Sequence, residues 1–216
     1  MGNYSSMAMC RLRLSYLGDA EQPVFLTWRL HGSLPPHRSF PPDARNSAQA
    51  FAATDRLLDE ARVGPVYLRQ PAVADMIVDA IRYNADILGH YRLHAFVVMP
   101  NHVHLLATPA VPLPELTRSL QSITAARAHS MLASAESPFW QEESYCRPVR
   151  YAGEFEEIWN YIEADPVRAG MASEATEYRW SSAATDAIIP EGALWRFTSI
   201  RSSRSGWNNS LTWQDG

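Results

Sequence analysis

An α+β fold, with helices packed against an antiparallel sheet, is what the sequence predicts. Three observations carry this: strand-like segments separated by helical ones, one closely linked hairpin, and enough apolar residues for a real core. The chain has 216 residues, 46% of them hydrophobic and 19% charged, which is the composition of a globular domain and not of a disordered tail. The hairpin is Tyr91–Met99 and His102–Thr108, two strand-like runs on either side of Pro100-Asn101.

Taken in order, residues 1–22 read as an N-terminal extension, in which only Arg11-Leu12-Arg13-Leu14 alternates. Residues 23–183 read as the folded domain. Val24–Leu30, branched and aromatic, is its first strand, stopped by Gly32 and Pro35-Pro36. The Pro-, His- and Arg-rich stretch to Ser47 is a surface loop long enough to contact a substrate. A helix is expected over Ser47–Arg62, burying Phe51, Thr54, Leu58 and Ala61, and Gly64-Pro65 breaks it. The next helix starts near Pro71, and Val73, Met76, Ile77, Ala80 and Ile81 form its apolar stripe.

After the hairpin, a helix over Pro114–Met131 would turn Leu116, Leu120, Ile123 and Arg127 to one side. Phe139-Trp140 anchors the connection that follows, and Val149–Tyr151 is expected to be a short edge strand. A last helix, from Glu154 to Ala164, carries Phe155, Ile158, Trp159 and Ile162 inward, with Pro166 ending or bending it. Residues 184–216, polar towards their end, read as a C-terminal extension that is mobile in part.

A net charge of −4 argues against broad basic surface for long duplex nucleic acid, and leaves room for a local groove or a compact target. No apolar run is long enough to span a bilayer, so a cytoplasmic protein without membrane contact is expected. Cys10 and Cys146 make neither a disulfide framework nor a zinc set, and reduced thiols are expected.

The chemistry centres on His102-Val103-His104. Side chains alternate across a strand, so both imidazoles share one face and can hold a divalent ion with a carboxylate completing the set. Tyr161 and Asp165, four apart on a helix, also share a face. If that face meets the histidines, Asp165 is a third ligand and Tyr161 sits beside the ion. Read locally, the same residues are ordinary polar strand sequence, an amphipathic-helix tyrosine and an aspartate preceding a proline. A phenol is a weak nucleophile near neutral pH, and a neighbouring cation that orients a phosphodiester would let it attack phosphorus.

Five segments carry a family resemblance, in order along the chain. They are Phe25–Pro35, Leu93–Leu106, Phe139–Tyr145, Tyr161–Gly170 with its Tyr-x-x-x-Asp-Pro core, and Trp180–Ala183. Together they resemble REP-associated tyrosine transposases, within the single-tyrosine HUH transposase and nuclease family. The resemblance implies a ferredoxin-like HUH-nuclease core, His102 and His104 as paired metal ligands, Asp165 as the third and Tyr161 as the nucleophile. It implies Mg2+ or Mn2+ as cofactor, and as partner a single-stranded DNA bearing a REP-like hairpin, cut and rejoined through a covalent 5′-phosphotyrosine. Asp165 stands where the family more often has Asn, Tyr145-Cys146-Arg147 where it more often has an Asp-His pair, and Gln121 where many relatives are basic.

DNA-phosphate contacts are sought among Arg29, His31, His37, Arg38, Arg118, Arg127, Arg147, Arg150 and Arg168. Arg118 and Arg127, on one helix, are expected to form a local stripe. Trp28, Trp140 and Trp180 are candidates for base stacking, with structural packing the more ordinary role. His90, His94 and His129 have no partner pattern and are read as non-catalytic. Two rival functions stay open: a metal-dependent hydrolase in which the histidines activate water, and a non-catalytic DNA-hairpin binding protein. One nucleophile per chain permits a monomer or a homodimer.

Overall fold

The computed structural model describes residues 22–40, 48–132 and 138–184. Most of the expected N-terminal extension, Cys10 and nearly all of the expected C-terminal extension lie outside the described residues. Four strands, β1 (Val24–Arg29), β2 (Tyr91–Val98), β3 (His102–Pro109) and β4 (Tyr145–Pro148), form one antiparallel sheet in the order β2-β3-β1-β4. Helices α1 (Ala48–Glu60) and α2 (Pro71–Asp86) connect β1 to β2. Helix α3 (Leu113–Met131) connects β3 to β4, and α4 (Ala152–Arg168) follows β4. Two strand–helix–strand crossovers joined by a hairpin, with the first strand inside the sheet, are the ferredoxin-like arrangement.

Period-two alternation gives the sheet two apolar faces. Val24, Leu26 and Trp28 of β1 and Val103, Leu105 and Ala107 of β3 face α2 and α3. Phe25 and Leu106, with Ala95 and Val97 of β2, face α1 and α4. A β-bulge at His94 sets the phase of β2: Leu93 pairs with Ala107 and Ala95 with Leu106, so the extra residue moves Ala95 to the α1/α4 side. Beyond β2, a bridge between Val97 and Ser181 and a hydrogen bond from the Ser182 N–H to the Phe96 carbonyl (2.9 Å) cover the outer edge of the sheet.

Several expectations are corrected. The edge strand is Tyr145–Pro148 and not Val149–Tyr151, because Tyr145 and Cys146 reach opposite cores while Tyr151 is already the N-cap of α4. Helix α4 runs on to Arg168. Pro166 forfeits one backbone bond, but the Ala169 N–H reaches the Asp165 carbonyl at 2.9 Å, and Gly170, at φ 69°, closes the end. On α3 the buried stripe is Leu116, Leu120, Thr124 and Ala128, whereas Ile123 is 36% exposed and Arg127 faces solvent. Ala61 lies just past α1 in a left-handed conformation, φ 45°.

Candidate active site

The hairpin tip fixes the two imidazoles. In β3, His102 and His104 flank Val103 and turn to the α1/α4 face, opposite Arg29 and Thr27 of β1. His104 shares a hydrogen bond with Thr27 through Nδ1 (2.7 Å), and His102 shares one with Asn101 Oδ1 through Nδ1 (2.7 Å). Asn101 donates its amide to the Leu58 carbonyl at 3.0 Å, so its Oδ1 accepts and His102 Nδ1 donates. Both Nε2 atoms are thereby turned to the space beneath α1, the orientation that outer hydrogen bonds impose on ligating histidines.

Three carboxylates meet them there. Asp165 Oδ2 lies 3.6 Å from His102 Nε2 and 3.5 Å from His104 Nε2. Asp55 Oδ1 lies 3.3 Å from His104 Nε2 and 3.8 Å from His102 Nε2, and Asp59 Oδ1 lies 3.7 Å from His102 Nε2. His102, His104, Asp55 and Asp165 are fully buried. The Tyr161 hydroxyl donates to the other oxygen of Asp55, and its ring centroid is 6.0 Å from that of His104. Four residues named from the sequence, His102, His104, Tyr161 and Asp165, are thus brought together.

Asp55, Asp59 and Asn101 were missed by the sequence reading. The signal available was a pair of aspartates at i and i+4 within the stripe of Phe51 and Leu58, an acidic pair on a face otherwise headed for the core. In the sequence, Asn101 reads only as a turn residue.

Electrostatics ties the cluster together. Burial, then the charges of Asp55 and Asp165, push the Tyr161 phenol well above its ordinary range. His104, although burial opposes its charge, is pushed up to about 10 by Asp55 and Asp165. Burial raises Asp59 to about 9, aided by Asp165 and Asp55. Burial acts the same way on Asp165, but His102, His104 and Arg168 outweigh it and hold that carboxyl well below the usual carboxylate range. Arg168 also lies over the Tyr161 ring, 3.9 Å from its centroid, pairs with Asp165 and donates to the Tyr161 carbonyl at 2.8 Å.

Five buried atoms in the cluster have no hydrogen-bond partner: Asp55 Oδ1, Asp59 Oδ1, Asp165 Oδ2, and Nε2 of His102 and His104. Protein interiors rarely leave such groups unsatisfied. Their convergence, with imidazole nitrogen and carboxylate oxygen as donors, fits a divalent cation; Asp55, His102 and His104 form one group able to hold it, and Asp59, His102 and Asp165 another.

The family model for IS200-like transposases matches residues 68–165, a segment that contains His102, His104 and Tyr161 and ends on Asp165. Over these residues, somewhat less than half of the chain, the sequence is similar to IS200-like transposases. Members of that family are DNA-processing enzymes. Among solved structures, a REP-associated tyrosine transposase bound to a REP hairpin matches 74% of this chain and 76% of its own, at 16% identity and a TM-score of 0.47. A candidate transposase from Deinococcus radiodurans R1 matches 68% of this chain and 94% of its own, at 20% identity and a TM-score of 0.40. No curated protein matches the chain.

The basic residues of the matched segment and its flanks divide into two sets. Arg29 is buried, pairs with Glu143 at 2.8 Å and lies over Phe40. Arg147 is buried against Glu154, which Arg150, half exposed, also reaches at 3.5 Å. His31, His37, Arg38, Arg118 and Arg127 face solvent. Nine residues span two and a half helical turns, so Arg118 and Arg127 leave α3 on opposite sides and form no single stripe. Trp28 and Trp140 pack edge to face at 6.2 Å inside the core, and Trp180 donates to Asp75 at 2.9 Å. Among the described residues no helix is long and apolar enough to cross a membrane.

Proposed function

We propose that the unit 23–183 is a metal-dependent, single-tyrosine transposase that cuts and rejoins single-stranded DNA beside a hairpin through a covalent 5′-phosphotyrosine. The observation that supports this best is the convergence of five unsatisfied buried donor atoms beside the Tyr161 hydroxyl. His102, His104 and Asp165 would hold Mg2+ or Mn2+, whose charge would orient the scissile phosphate and offset negative charge developing on it. Asn101 and Thr27 keep the imidazoles aimed at that position. Arg168 holds Asp165 and covers one face of the phenol.

Tyr161 Oη attacks phosphorus, the P–O3′ bond breaks, the phenol loses its proton and the departing 3′ oxygen gains one. The product is a phosphotyrosine on the 5′ end and a free 3′ hydroxyl. Attack by another 3′ hydroxyl reverses the exchange, so the link conserves the bond energy needed for rejoining without a nucleoside triphosphate. A REP-like hairpin as substrate is supported by the ordered motif resemblance from Phe25 to Ala183. A compact target also suits a chain of net charge −4 better than long duplex. The place of action would be the cytoplasm, with the protein as a monomer or homodimer.

The test uses 5′- and 3′-labelled hairpin DNA with Mg2+ or Mn2+ on a denaturing protein gel. A metal-dependent adduct carrying only the 3′-side fragment, lost in Tyr161→Phe, is expected. Cleavage without an adduct would assign a water-using hydrolase, and binding without cleavage a hairpin-binding module.

A further inference from the structure

We infer that Asp55 is a further ligand of the divalent ion and also holds Tyr161 for attack, one carboxylate oxygen serving each task. The inference rests on the metal-dependent reading above and adds to it a residue of α1, a helix outside the segment matched by the family model. Asp55 is fully buried. Its Oδ2 accepts the Tyr161 hydroxyl, while its Oδ1, without a hydrogen bond, faces His104 Nε2 at 3.3 Å and His102 Nε2 at 3.8 Å.

A buried carboxylate with half its acceptor capacity unused is costly, and one phenol does not offset that desolvation. A cation between Asp55 and the imidazoles would. The placement is also enforced: the bond from Asn101 to the Leu58 carbonyl fixes α1 on the hairpin tip, and Asp55 lies three residues earlier on the same helix. Because the two oxygens of one rigid carboxylate are engaged at once, the nucleophile and the ion position are held in fixed relation. Asp55 in this role is a positioning residue for Tyr161, acting through the phenol rather than on the DNA.

The experiment measures Mn2+ binding to the full chain by electron paramagnetic resonance of the free ion, with Asp55→Asn, His102→Ala and the exposed Asp79→Asn. The expected result is a dissociation constant raised about 10- to 100-fold by Asp55→Asn and His102→Ala and unchanged by Asp79→Asn. At saturating Mn2+, adduct formation on hairpin DNA should still be slower in Asp55→Asn, since the phenol has lost its charged partner. A purely structural Asp55 would move the melting temperature and leave Mn2+ affinity alone. Unchanged affinity in Asp55→Asn with weakened binding in His102→Ala overturns the inference and spares the metal-dependent reading; unchanged affinity in both overturns the two together. Should the Asn variant fail to fold, Asp55→Ser decides by the same measurement.

Discussion

Tyr161 donates its hydroxyl hydrogen to Asp55 across 106 positions of sequence. That bond joins α4 to α1 directly over the paired histidines of β3, and it places the phenol against the carboxylate cluster instead of in water: Tyr161 is 8% exposed. Because the hydroxyl donates its hydrogen in this contact, the lone pairs of Oη stay available to an incoming phosphorus while Asp55 holds the phenol. The same carboxylates that raise the phenol's pKa are those a cation would neutralise.

Replacing Asn101 should separate support from ligation. Asn101→Ala leaves His102 Nδ1 and the Leu58 carbonyl without their partner. A stability loss of about 1–3 kcal/mol is expected in urea denaturation. Mn2+ affinity should fall about 10- to 100-fold although no proposed ligand has been removed. Wild-type affinity in this variant would mean that the hairpin tip does not aim the imidazole.

Acid should reveal His94. Its imidazole, pushed down to about 4 by burial and then by Arg92, sits against Phe155 and shares a 2.7 Å hydrogen bond with Thr108. A histidine with a folded pKa below its unfolded value favours the folded state when neutral. Its contribution is therefore complete above about pH 6.5 and is lost as pH falls from there to about 4, where only the unfolded chain takes the proton. The loss should be about 2 kcal/mol after allowance for partial exposure. Denaturant midpoints at pH 7 and pH 5 test this; His94→Gln should have the smaller difference between the two, and equal differences would remove His94 as the cause.

The arginines should behave as two classes. The chain contains no lysine, so side-chain ammonium contacts to phosphate are not available. Arg118→Ala and Arg127→Ala, both at exposed positions, should leave melting unchanged. If both contact DNA, each should weaken hairpin binding and flatten its log-log salt dependence by about 0.7. Arg29→Ala should instead cost about 1–3 kcal/mol of stability, because it empties a buried position that packs over Phe40 and pairs with the partly exposed Glu143. A flattened salt slope in a fully folded Arg29→Ala would reverse that assignment.

Gly64 should tolerate no side chain. It has φ 76°, and a Cβ built there would overlap the backbone carbonyl of Gly32. This close approach fastens the segment after α1 to the turn after β1. Gly64→Ala should lower stability by more than about 1 kcal/mol, whereas Gly89→Ala, at φ 63° with open space around it, should carry only the conformational cost. Thermal melts of the two variants, compared at one pH, test the order.

Much of the architecture was legible in the sequence because it depends on local period and punctuation. The His102-x-His104 alternation placed both imidazoles on one face, the four-residue spacing from Tyr161 to Asp165 placed phenol and carboxylate together, and the stripe from Val73 to Ile81 marked the inner face of α2. What failed depended on neighbours. The stripe on α3 keeps Thr124 and Ala128 inward because Trp140 bonds the Thr124 hydroxyl, a contact invisible in the helix's own period. Arg29 and Arg147 read as surface charge until Glu143 and Glu154 take them inside.

By itself, then, the sequence determined the α+β class, the hairpin and the facing of His102, His104, Tyr161 and Asp165 within their own elements. Only the tertiary structure decided that α1 closes over them and brings in Asp55 and Asp59. The physical reason is one of range: side-chain direction along a strand or helix follows from backbone geometry over a few residues. Which carboxylate meets which imidazole depends on how two helices and a sheet pack across more than a hundred positions.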